Sequence, residues 1–79
     1  MSNTQKLAKA FAEALLIDES RIVDSLAYQS IPEWDSVSHM ILISEIESAF
    51  DVSIETDDVI DMSSVAKAKE ILTKHNIEF

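Results

Sequence analysis

Apolar side chains recur along this chain at helical rather than strand spacing. Leu7, Phe11, Ala14 and Leu15 fall at i, i+4, i+7 and i+8, the period of an amphipathic helix. Ser2 and Gln5 have the S-x-x-Q spacing of a capping box, and Asp18-Glu19-Ser20 breaks the pattern, so a first helix is predicted from about Ser2 to Ile17. No period persists from Asp18 to Trp34. Ile22, Val23, Leu26 and Tyr28 read as isolated anchors, and Pro32 disfavours a helical conformation at Ile31. This is a long loop holding at most one short turn, of a length that in compact domains is usually functional.

From Asp35 to about Phe50 a second helix is predicted. Val37, Met40, Ile41, Leu42, Ile43, Ile46, Ala49 and Phe50 cover more of its surface than one core-facing stripe needs. Met40 and Ile41 are therefore candidates for an exposed edge, although Met40 fits equally well beneath the long loop. Asp51 to Met62 holds a linker and about two helical turns, with Thr56 as the expected cap and Asp57 and Asp58 at the positive end of the dipole. Val65, Ala68, Ile71 and Leu72 define a last helix from Ser63 or Ser64 to about His75. Val52-Ser53-Ile54-Glu55 has strand-like composition but no strand to pair with. The expected fold is all-α: a small four-helix bundle of three longer helices and a short third one, with the long loop between helices 1 and 2. Residues 1–79 make a single domain.

Composition narrows the function classes. A chain of this length buries only about 60–65% of its unfolded surface, which leaves little room for a deep catalytic cleft. Fifteen acids against six bases give a net charge of −9. Nucleic acid, bound by neutralising phosphates, is an unsuitable partner, whereas basic protein surfaces are attracted to such a chain in a salt-sensitive way. The chain has no cysteine, hence no disulfide framework or thiolate metal site. It has no long apolar run, so no membrane insertion is expected. The first residues, Met1-Ser2-Asn3-Thr4, lack the basic and apolar regions of a signal peptide. A cytoplasmic monomer is the expectation.

The chemistry centres on Trp34-Asp35-Ser36-Val37. Asp35 can cap the second helix by accepting from the Val37 or Ser38 amide. Ser36 then sits in the first turn with its hydroxyl away from the core, and an anion held on that oxygen would meet the positive end of the helix. Asp24-Ser25-Leu26 is a second D-S-aliphatic triplet, but Pro32 follows too soon for a long helix. Context therefore selects Ser36 over Ser25. The plain alternative is that Asp35 and Ser36 form an ordinary helix start. Trp34 either anchors the core or covers the loop beside Ser36.

The stretch from Trp34 to Ile43, with Ile46-Glu47 and Phe50-Asp51, resembles the carrier-site helix of acyl carrier proteins. Ile54, Asp57, Asp58, Met62-Ser63-Ser64-Val65 and Ile71-Leu72 resemble the family's later elements in order and spacing. The resemblance implies that Ser36 receives 4′-phosphopantetheine from coenzyme A as a phosphodiester, transferred by a separate phosphopantetheinyl transferase using magnesium. It further implies that Asp35 presents the site and that Val37 is a partner contact beside it. Acyl or aminoacyl cargo would ride as a thioester on the arm to acyl-activating, condensing or transferase enzymes with basic docking surfaces. Met40, Ile41, Glu45, Glu47, Asp57 and Asp58 are the candidate partner contacts. The family often has glycine two residues before the aspartate; here it is Glu33. Ile41 and Ser48 stand where acids are common, which points to a specialised member rather than a primary fatty acid biosynthesis carrier. Leu42, Ile43, Ile46, Ile54, Val59, Met62 and Ile71 form either a closed core or one that opens to cargo.

Other constellations fail. Ser36 and His39 share a helix face at i, i+3, but a serine hydrolase also needs an oxyanion hole, an orienting acid and usually a strained turn. The chain is read as a non-enzyme. Asp51, Ser53, Glu55 and Asp57 mimic a calcium loop whose sixth position is Thr56 rather than glycine and whose twelfth is Met62 rather than glutamate, so no metal site is assigned. His39 and His75 are expected at the solvent surface. The competing function is an acidic helical adaptor with no prosthetic group.

Overall fold

Ser2 starts the first helix as its spacing predicts. In the computed structural model, which describes residues 2–79, its hydroxyl accepts from the Gln5 amide while the Gln5 side chain accepts from the Ser2 amide. Met1 lies outside the described residues. Helix α1 spans Asn3–Leu15 and buries Leu7, Ala10, Phe11, Ala14 and Leu15. It ends two residues before the expected limit because Leu16 turns left-handed, at φ 58°. Helix α2 (Ser36–Phe50) closes on Asp51 in the same way, at φ 53°.

Glycine usually fills such positions, and this chain has none. A left-handed L-residue costs about 1–2 kcal/mol, against about 0.5–1 kcal/mol for the extra freedom glycine loses on folding. Leu16 is 87% exposed and contributes little packing. Leu16→Gly is therefore expected to raise the melting temperature by about 2–5 °C in a circular dichroism melt. An unchanged or lower value would mean that the leucine side chain stabilises the fold.

The loop between α1 and α2 holds one 3₁₀ turn, Glu19–Arg21, capped by the Asp18 carboxylate on the Ser20 amide at 2.9 Å. Ile22, Leu26, Tyr28 and Ile31 pack against the core. Val23, expected to do the same, is exposed. The backbone is extended at Ile22, where neighbouring side chains point to opposite sides, so only one of the pair can face inward.

The loop is tied across the molecule to helix α4 (Val65–Thr73). The first amides of a helix have no partner within it. Here the Val65 amide bonds the Leu26 carbonyl at 3.0 Å, the Ala66 amide bonds the Asp24 carbonyl at 3.1 Å, and Ser64 caps the Lys67 amide. Tyr28 donates its amide to the Ser63 carbonyl at 2.8 Å, beside an isolated bridge between Ala27 and Ser64.

Helix α3 is short, Thr56–Asp61. Its cap residue is Glu55 rather than Thr56, without a side-chain capping bond. Thr56 already has its place inside the helix, so its hydroxyl cannot serve as the cap. Asp57 and Asp58 lie in the first turn as expected.

The core joins Leu7, Phe11 and Leu15 of α1 to Leu42, Ile43 and Ile46 of α2. Ile54 and Met62 flank α3, and Val65, Ala68, Ile71 and Leu72 come from α4. The four helices and the long first loop form the expected bundle. Among the described residues, no helix is long and apolar enough to cross a membrane.

Candidate functional site

The start of α2 is held by a reciprocal set of hydrogen bonds. The Asp35 carboxylate accepts from the Val37 and Ser38 amides, both at 3.0 Å. The Ser38 hydroxyl accepts from the Asp35 amide at 2.9 Å and donates to the Glu33 carbonyl at 2.7 Å. This is a capping box with Ser38 in the place usual for glutamate. The D-x-x-S spacing was its signal in the sequence. Neither Glu33 nor Trp34 has positive φ, so the turn does not need the glycine that this chain lacks.

The bond from the Ser38 amide, reinforced by the Ser38 hydroxyl and the Val37 amide, holds the Asp35 carboxyl below its ordinary value of 3.8, against a smaller opposing effect of desolvation. A depressed carboxyl pKa adds stability that is present above the unfolded-state value and is lost as pH falls through the folded one. The Val37 and Ser38 amide resonances should therefore move together only at pH below about 4. Movement at a higher pH would contradict the capping role.

Ser36 is the first residue of α2 and is exposed. The hydrogen bonds of this turn run through Asp35 and Ser38 and leave its hydroxyl outward. Periodicity put Val37 at the head of the core stripe, yet it is 69% exposed. Trp34 occupies the core at this end instead and is fully buried, which settles its two readings in favour of core anchoring. Its ring meets Phe11 edge-on at 5.3 Å and Tyr28 edge-on at 6.1 Å.

His39 departs from its expected place at the surface. It is half-buried and stacks on Trp34 with ring centres 6.1 Å apart. The Trp34 indole N–H donates to His39 Nδ1 at 3.0 Å, and His39 Nε2 lies 2.8 Å from the Val59 carbonyl of α3. An indole nitrogen only donates and a carbonyl only accepts, so the ring carries its proton on Nε2. Both nitrogens are thus occupied, and His39 cannot act as a base toward Ser36. His75, also half-buried, lies in the turn after α4.

Ser25 lies in a turn with no helix behind it. Its neighbour Asp24 is engaged by Lys69 at 2.7 Å. The candidate partner contacts fall into three groups. Met40, Ile41 and Asp57 are exposed. Glu45 is half-buried. Glu47 spends a carboxylate oxygen on the Ile54 amide at 2.8 Å, closing the α2–α3 linker, and Asp58 pairs with Lys74 at 2.7 Å. Beside Ser36 a shallow groove of about 330 Å³ runs between the end of α1 and α2, lined by Leu15, Leu16, Pro32, Val37 and Ile41 among others.

These features define a small helical bundle that displays a serine at a rigidly capped helix start. The chain is similar along nearly its whole length to two carrier proteins. It is 29% identical over 70 residues to an acyl carrier protein of Lactobacillus johnsonii, covering 89% of this chain and 88% of that protein. It is 28% identical over 71 residues to an acyl carrier protein of Rubrobacter xylanophilus, covering 90% and 88%. No family model matches the chain, and no solved structure matches it significantly. The two similarities, which run along nearly the whole of both chains, support assigning the protein to the acyl carrier protein family.

Proposed function

We propose that this chain is a carrier protein that holds acyl or aminoacyl groups on a 4′-phosphopantetheine arm attached to Ser36 and delivers them to partner enzymes. The observation that carries this reading is the placement of Ser36. It is an exposed first residue of a fifteen-residue helix, and the carboxylate nearest in sequence, Asp35, is engaged by the Val37 and Ser38 amides. The positive end of the helix favours an attached phosphate, and Asp35 and Ser38 hold the turn without using the serine hydroxyl.

Attachment is a displacement at phosphorus. Ser36 Oγ bonds the phosphorus that carries the pantetheine arm of coenzyme A, the pyrophosphate P–O bond breaks, and adenosine 3′,5′-bisphosphate leaves. The serine proton passes to a base on the transferase, which also supplies the magnesium. Once attached, the arm supplies a thiol that binds cargo as a thioester. This chain's own residues present the serine, with Asp35 and Ser38 holding its turn; the chain itself catalyses no step.

The exposed apolar residues Val37, Met40 and Ile41 flank Ser36 along α2 and give partners a contact surface within an acidic field of net charge −9. Ile41 makes this surface more apolar than an acidic carrier helix would be. That favours enzymes of a specialised pathway over those of primary fatty acid synthesis. Incubation of the unmodified protein with coenzyme A, magnesium and a broad-specificity phosphopantetheinyl transferase should raise its intact mass by one phosphopantetheine. An unchanged mass would favour the acidic adaptor instead.

A further inference from the structure

The chain of bonds from Trp34 through His39 to Val59 joins the start of α2 to α3, twenty residues further along. Trp34 is fixed by its own backbone, its amide bonding the Ile31 carbonyl and its carbonyl accepting from the Gln29 amide. His39 carries that rigidity to α3 through Val59. The Val59 carbonyl lies at the C-terminal end of a six-residue helix, where carbonyls lack intrahelical partners. Ser63, whose amide would be the next available donor, bonds Asp61 at 2.7 Å instead. Helix α3 has no side-chain cap at its other end; Asp58 ties it to Lys74, and His39 supplies the hydrogen bond that joins it to α2.

Beside this contact lies a half-open, mainly apolar pocket of about 260 Å³, lined by Tyr28, His39, Val59, Ile60, Met62 and Ser63. His39 forms part of its wall. Met62, which also lines it, is a fully buried member of the core. His39 lies one helical turn from Ser36 on the same face of α2, which puts this pocket within reach of an apolar group carried on a flexible arm at Ser36. Going deeper would require α3 to move off α2.

We propose that His39 sets the size of cargo the bundle admits: its bonds to Trp34 and Val59 latch α3 onto α2, so the cavity takes a short acyl group and longer chains stay outside the core. This rests on the carrier reading above, and the test separates the two. Wild type, His39→Leu and Trp34→Phe are loaded at Ser36 from acetyl-, butyryl- and octanoyl-coenzyme A, and each product is melted. Burial of an octanoyl chain in the core would raise the melting temperature by upwards of about 10 °C relative to the acetyl form. Wild type is expected to show a difference below about 3 °C, whereas His39→Leu shows a rise on going from acetyl to octanoyl. Trp34→Phe keeps an aromatic ring but deletes the indole N–H. It should give a smaller rise, and it serves if His39→Leu does not fold. A large octanoyl effect in wild type, or none in a folded variant, would overturn the proposal.

Failure of loading would contradict the carrier reading alone. The latch is then tested on unloaded protein by amide exchange, where His39→Leu (or Trp34→Phe) should speed exchange of the α3 amides about tenfold more than that of the α1 amides. Equal acceleration in both helices would overturn the latch.

Discussion

Trp34→Ala should destabilise the fold by about 4–8 kcal/mol. A small domain of this size has a total stability of about 4–12 kcal/mol, and truncating a buried tryptophan to alanine removes about 3–5 kcal/mol. The loss falls at a point where several elements meet. Trp34 touches Phe11 of α1, Tyr28 of the long loop and His39 of α2. Its removal also strips His39 Nδ1 of its donor, which costs about 1–3 kcal/mol more where the group stays dry. Trp34→Phe keeps most of the packing and should lose about 1–3 kcal/mol. Urea titration followed by far-ultraviolet circular dichroism measures both variants. Equal, small effects would mean that the indole is a bystander to the fold.

Ser36→Ala is the opposite case, with a complete functional loss and almost no structural one. Ser36 is exposed at the first helical position and its hydroxyl caps nothing, so the substitution should change stability by no more than about 0.5 kcal/mol. Loading by the transferase should nevertheless vanish, because no other oxygen occupies that position over the helix end. Asp35→Ala provides the contrast. It removes a cap worth about 1 kcal/mol, and so lowers the melting temperature by about 4–8 °C while leaving the serine in place. If Ser36→Ala were strongly destabilised, the hydroxyl would have a structural duty that its outward position does not suggest.

Local rules made much of this fold legible. The Ser2–Gln5 box starts α1, Asp35 starts α2 and Ser64 starts α4. In each case a cap and a 3.6-residue apolar stripe agree within a few neighbouring residues. The features that eluded the sequence depend on contacts between distant segments. His39 looks like any helix-surface histidine until the fold brings Trp34 below it and Val59, twenty residues away, above it. Glu47 reads as an available acid, yet the turn into α3 returns the Ile54 amide to it. Periodicity assigns Val37 to the core because it cannot know that Trp34 has already filled the space under the first turn.

The candidate site was legible for the same reason as the helix starts. The preference for Ser36 over Ser25 needed only the helix behind each D-S pair, and only Ser36 begins one. The acids on α2 and α3 were harder to judge. Charge is visible in the sequence, but whether a carboxylate faces a partner or an amide of its own chain is decided by tertiary geometry, as Asp58 and its ion pair with Lys74 illustrate.

The most direct measurement is to locate the added group after reaction with coenzyme A, magnesium and transferase, by fragmenting the intact modified chain in a mass spectrometer. A single phosphopantetheine on Ser36, with Ser25 unmodified, is the predicted result. Modification at Ser25 or another hydroxyl, or none anywhere, would contradict the account.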